Sequence, residues 1–158
     1  MFTSAQAQGY NAINFQEYTF TPTQEQPEHD HPHYQETMRW YYPFAPFFPH
    51  RLNAWQRQPV VSKLADSGGH AINFPGWRRY PESLVMRHYL FLSKDHAVCK
   101  FVQQIYAPEE VQKGWYGKRA HLKPELIKLP KQAERRPYLS DEKLDPSNPL
   151  KKQLLLDF

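Results

Sequence analysis

The sequence predicts a mixed α/β fold, a small mixed sheet with packed helices and an extended C-terminal arm. Three observations predict it. Short runs mixing aromatic and β-branched residues, Asn11 to Phe20, His70 to Phe74 and Leu84 to Leu92, have the make-up of strands. Directly after the third run, Val98, Phe101, Val102 and Ile105 recur at three- and four-residue spacing, the period of a helix with one apolar face. Fifteen prolines against six glycines, with a mean hydropathy of −0.81, place much of the chain in polar loop or extended segment and exclude an all-helical bundle. With 158 residues, 40% of them hydrophobic and 15% aromatic, the chain suits one domain with a real core.

Taken in order, Asn11 to Phe20 reads as a strand that stops at Pro22. Thr21 to His33 follows as a polar loop holding Pro22, Pro27 and Pro32. Tyr34 to Tyr42 is expected to form a short helix, ended before Pro43 because a residue preceding proline disfavours the helical region. Tyr41 to Pro49, with three prolines in YYPFAPFFP, is expected to be an extended aromatic wall and not a central strand. Gly68 and Gly69 close a loop before the second strand, and Pro75-Gly76 turns the chain after it. Ser93 stands where an N-cap belongs, with Asp95 in the first turn, so a helix over about 94 to 106 is expected. Pro108, Glu109, Glu110 and the stop at Gly114 mark one more short helix. The domain organisation expected is a folded region over residues 1–117 and a polar, proline-punctuated tail over 118–158.

Charge and cysteine content narrow the function classes. No stretch approaches the roughly 18 apolar residues of a membrane span, so no integral membrane segment is expected. The single cysteine, Cys99, excludes an internal disulfide and any multi-cysteine zinc module, which points to a reducing, cytoplasmic setting. Net charge is +4, concentrated between Lys113 and Arg136. Those basic residues are broken up by Pro124 and Pro130 and form no helical stripe or zinc-finger spacing, so a solvated tail is expected and no nucleic-acid partner. Phosphate loops, dinucleotide fingerprints, nucleophile elbows and His-Glu-x-x-His pairs are all missing from the sequence.

A few residues stand out for chemistry. Glu28, His29, Asp30, His31 and His33 form the densest polar cluster, whose side-chain types ligate metals but whose spacing, interrupted by Pro32, closes no site. Arg87 and His88 sit inside an otherwise apolar strand. A charge and a ring nitrogen there need buried partners or open onto a site, unless one strand face simply meets water. Glu17, His70 and Lys100 are further polar candidates of the same standing. The aromatic run with Trp40 and Trp55, interleaved with Arg39, Arg51 and Asn53, suits stacking on a sugar or a base, and equally a core or a protein interface.

Several stretches together resemble the C-terminal part of bacterial family 2-like glycosyltransferases with a GT-A fold. They are GYNAINFQEYTFTPT (Gly9 to Thr23), the HDH loop with MRWYYPF (Met38 to Phe44), PHRLNAW (Pro49 to Trp55), SGGHAINFPG (Ser67 to Gly76), YPESLVMRHYLFLSKDHAVCKF (Tyr80 to Phe101) and GWYGKRA (Gly114 to Ala120). The resemblance implies sugar transfer from a nucleotide-sugar to a glycan acceptor. It implies catalytic roles for Glu17 and Asp30, substrate contacts for Trp40, Arg51, Trp55, His70, Arg87 and Lys100, and metal ligation by His88. The chain departs from the family pattern at Tyr116 and contains no Asp-x-Asp motif, so it resembles the acceptor-side part alone. A divalent ion, Mn or Mg, is then expected only together with a donor-binding half, which a partner chain could supply, and little activity is expected without it. The other reading is a noncatalytic carbohydrate- or protein-binding module.

Overall fold

The computed structural model describes residues 2–45, 52, 54–59, 72, 74–114 and 121–151. Its described part is mixed α/β, with two small sheets and few, short helices. A first helix α1 (Phe2–Ala7), to which the sequence analysis assigns nothing, precedes the first strand region. That region is not one strand but two, β1 (Ala12–Ile13) and β2 (Phe15–Phe20), which belong to different sheets. Asn14 is the joint: its side-chain amide donates to Ser83 Oγ at 2.8 Å and its carbonyl accepts from Leu84 N. β1 pairs antiparallel with β4 (Ala54–Trp55).

The main sheet has the order β5-β2-β3-β6, with β3 at Trp40–Phe44, β5 at Leu84–Tyr89 and β6 at Arg136–Pro137. β2 runs parallel to β5 and antiparallel to β3, so the sheet is mixed. Two expectations fail here. The helix expected over Tyr34 to Tyr42 is a single turn, α2 (Tyr34–Thr37), and the aromatic run supplies an interior strand in spite of Pro43. In a strand the amide and carbonyl of one residue point the same way, and the Pro43 carbonyl accepts from Leu150 N at 2.9 Å. The missing amide hydrogen therefore faces the side beyond the end of β6, and the ladder to β2 loses nothing.

α3 (Lys94–Phe101) begins as expected, with the Ser93 hydroxyl accepting from His96 N at 3.0 Å. It ends earlier than the expected 106. Gln103 N bonds back to the Val98 carbonyl, a closing bond of the kind that ends helices, and Ile105 lies 95% exposed. Ala107 is extended (φ −63°, ψ 131°), as the residue before Pro108 must be, and α4 (Pro108–Gln112) follows, stopped at Gly114 with φ +72°.

Residues 121–151 wrap onto the rest of the fold. Leu122 and Ile127 complete a cluster with Leu90, Phe91, Ala97 and Phe101, and β6 lengthens the sheet. Tyr138 and Leu144 pack on Tyr18, Phe20, Met38 and Tyr41. The basic stretch is partly internal too: the Arg135 guanidinium lies over the Tyr42 ring at 5.1 Å, and burial pulls its pKa down. A third cluster, Ala12, Leu52, Ile72 and Phe74, is built around β1, where the sequence analysis expects a strand over His70 to Phe74. Ile72 and Phe74 lie in no strand, and His70 is outside the described residues.

Candidate active site

Side chains alternate across β2, which is buried between β5 and β3. Tyr18 and Phe20 enter the aromatic cluster that the C-terminal segment covers. Glu17 and Thr19 therefore project from the opposite face. The register sets Thr19 beside His88 on one side and Tyr42 on the other, and Glu17 beside Met86 and Phe44. By the same alternation Trp40 shares that face, so the sheet brings together four residues, Glu17, Thr19, Trp40 and His88, from three strands.

The centre of this group is a short hydrogen bond. His88 Nδ1 and Glu17 Oε1 are 2.6 Å apart, and the Thr19 hydroxyl donates to the same carboxylate oxygen at 3.1 Å. Glu17 is fully buried, with a side-chain exposure of 0%, whereas the His88 side chain keeps 29%. With Glu17 as a carboxylate, which accepts only, Nδ1 carries the proton of this bond. The tautomer is thereby set: in the neutral ring Nε2 holds a lone pair, and among the described residues it has no hydrogen-bond partner. A ring nitrogen so prepared is suited to taking a proton or to ligating a cation, with the carboxylate acting behind it in either case.

The other expected site residues fall in different places. Asp30 is exposed in the loop between β2 and α2, and makes no hydrogen bond or ion pair among the described residues. Arg87 lies on the opposite sheet face from His88, where its Nη1 donates to Tyr138 Oη at 3.3 Å and its Nε is 3.7 Å from Asp141. Lys100, on α3, donates from Nζ to the Leu90 carbonyl at 2.7 Å. Trp55 stands on β4, in the other sheet. Arg51, His70 and Tyr116 lie outside the described residues.

Within the cluster around His29, the rings of His29 and His31 are consumed by local hydrogen bonds. His29 is buried; its Nε2 donates to the Gln26 carbonyl at 3.1 Å and its Nδ1 accepts from the Thr37 hydroxyl at 2.9 Å. That leaves Thr37 as acceptor from His31 Nε2 at 3.1 Å, while His31 Nδ1 accepts from His33 N at 3.2 Å. Both imidazoles are thus fixed as Nε2–H tautomers, and desolvation by burial pulls the His29 pKa below its ordinary value. Among the described residues, no group of three or more His, Cys, Asp or Glu could hold a metal ion. Thr19 is the one member of the site that sequence reasoning passes over; threonine two residues from a strand glutamate is common, and only the register gives it meaning.

The fold and site define a mixed α/β protein in which a buried carboxylate holds a partly exposed histidine whose second ring nitrogen has no hydrogen-bond partner among the described residues. Compared with protein-family models, with curated proteins and with solved structures, the chain matches none. Among the described residues no helix is long and apolar enough to cross a membrane.

Proposed function

We propose that this chain is the acceptor-side part of a glycosyltransferase of the GT-A kind, in which His88 is the base and Glu17 the positioning residue. The observation that carries the reading is the half-exposed imidazole of His88, bonded through Nδ1 to a buried carboxylate with Nε2 left open. The substrates in this reading are a nucleotide-sugar and a glycan acceptor. Nε2 takes the proton of the acceptor hydroxyl while its oxygen forms a bond to the anomeric carbon and the bond from that carbon to the diphosphate breaks. Glu17, itself shielded from water, stabilises the imidazolium that results. The carboxylate itself cannot be the group that meets the acceptor, because it is buried behind the ring.

The leaving diphosphate needs a countercharge. In this reading a partner chain supplies the donor-binding half and the Mn or Mg ion with it, since the sequence has no Asp-x-Asp and the described residues offer no three-ligand group. The setting is cytoplasmic, in keeping with a single cysteine. The decisive measurement is release of nucleotide and transfer of labelled sugar, with a panel of nucleotide-sugars and neutral glycan acceptors. Weak turnover by the chain alone is expected, lowered about 100-fold or more in His88→Ala and about 10- to 100-fold in Glu17→Gln. Undiminished turnover in folded His88→Ala would refute the assignment, and turnover at the level of complete transferases would refute the need for a partner.

A further inference from the structure

Away from the Glu17–His88 pair, α1, β1 and β4 enclose a cavity of about 240 Å³. We infer that it is a binding site for one ring of a neutral saccharide. Its lining, among the described residues, holds Trp55, Tyr10 and Phe2 as aromatic surface and Thr3, Gln6 and Gln56 as polar groups, with no Asp, Glu, Lys, Arg or His. Trp55 is 36% exposed and Phe2 57%. The Thr3 hydroxyl and the side-chain amides of Gln6 and Gln56 make no hydrogen bond among the described residues, so each can both donate to and accept from a ligand.

The walls are fixed before any ligand arrives. Gln56 N bonds to the Asn11 carbonyl at 2.8 Å, and the Asn11 side chain spans Gly76 O at 3.1 Å and Arg78 N at 2.6 Å. Tyr10 is held edge-on by Tyr80 at 5.4 Å and covered by the Arg78 guanidinium at 5.4 Å. That approach depends on Gly9, at φ +79°: a Cβ there would stand 2.9 Å from Arg78 Nη1. A rigid aromatic platform costs little ordering on binding.

The lining chooses the ligand. A nucleotide or any other phosphate ester would meet no cation in the lining itself, the Arg78 guanidinium behind it being engaged over the Tyr10 ring, and an aliphatic ligand would leave the two amides without partners. A sugar ring presents one apolar face for the indole and hydroxyls at its rim for the amides. The volume lies below the roughly 300 Å³ at which larger ligand pockets begin, which suits one ring.

This inference does not depend on the acid–base reading of His88. The test is titration of the ¹⁵N-labelled full chain with methyl glucoside, cellotriose, maltotriose and chitotriose, read on the tryptophan indole resonances. At least one of these is expected to shift the Trp55 indole saturably in the millimolar range. Affinity should fall about tenfold or more in Trp55→Ala, by less in Trp55→Phe and Gln56→Ala, and not at all in His88→Gln or Trp77→Ala. Trp55→Phe keeps a platform and so guards against loss of fold. The inference is overturned if none of the four sugars moves the Trp55 resonance, if Trp77→Ala weakens binding as much as Trp55→Ala, or if a proline-rich peptide binds the cavity where the sugars do not. Sugar binding that persists while His88→Ala transfers as well as the native chain would separate this site from the failed acid–base reading.

Discussion

Two histidines of this molecule are held by hydrogen bonds to their rings and end with opposite prospects. His29 spends both ring nitrogens on its surroundings, one on a backbone carbonyl and one on a hydroxyl, and its backbone amide anchors the loop to the Leu92 carbonyl at 2.8 Å. His88 spends one, on Glu17, and the other has no hydrogen-bond partner among the described residues. The difference teaches that the number of hydrogen-bonding valences left over, and not the density of polar residues, decides whether a histidine has an atom to offer a ligand or a proton. The acidic, histidine-rich loop is the denser cluster in sequence and the poorer site.

That contrast can be broken experimentally, most forcefully at His88. His88→Ala removes the partner of a buried carboxylate and is expected to cost about 3 kcal/mol, seen as a lowered urea midpoint; His88→Gln should recover part of that stability but none of the transfer. If His88→Ala is as stable as the native chain, Glu17 is not held as described. His29→Ala empties the place of a buried ring and removes one bond each from the Gln26 carbonyl, which keeps Thr23 N, and from the Thr37 hydroxyl, which keeps His31, for an expected loss of about 2 kcal/mol with turnover unchanged. A loss of turnover there would erase the distinction between the two histidines.

The pH dependence of stability sharpens the same contrast on a smaller scale. Burial lowers the His29 pKa, so the unfolded chain binds the proton more readily than the folded one. The stabilisation from a neutral His29 is therefore complete above about pH 6.5, the value for an unfolded histidine, and is lost as pH falls below it toward the folded value. Urea midpoints measured from pH 8 to 5 should fall over that range in the native chain and fall less in His29→Asn. The smallest effect is expected next door to His88. Asp141→Asn breaks the partly exposed contact with Arg87 at 3.7 Å and should change stability by less than about 1 kcal/mol in the same melts.

Legibility from sequence varies in an instructive way along the chain. Ser93, Pro108 and Gly114 act through their own backbone, so the helix start, the next helix and its stop were readable from residue type. Trp40 to Phe44 misled because proline is judged against a fully laddered strand, and whether its missing amide hydrogen is needed depends on where β6 ends. Arg87 and His88 stand out in the sequence as polar residues in an apolar run, yet that strand is only half-buried, with Val85 45% exposed. Which of the two keeps an open atom depended on Tyr138 and Asp141, some fifty residues downstream, closing over one face only.

By itself the sequence determined the mixed α/β character, the exclusion of disulfide and multi-cysteine zinc chemistry, and the place of Arg87 and His88 within an apolar run, because composition, period and local capping are set by nearest neighbours. Tertiary structure alone decided that Glu17, Thr19 and His88 share a face, that the histidine loop closes on itself, and that the C-terminal segment belongs to the core. Register and the pairing of distant strands fix those outcomes, and in a sheet one residue of slip sends every side chain to the opposite face.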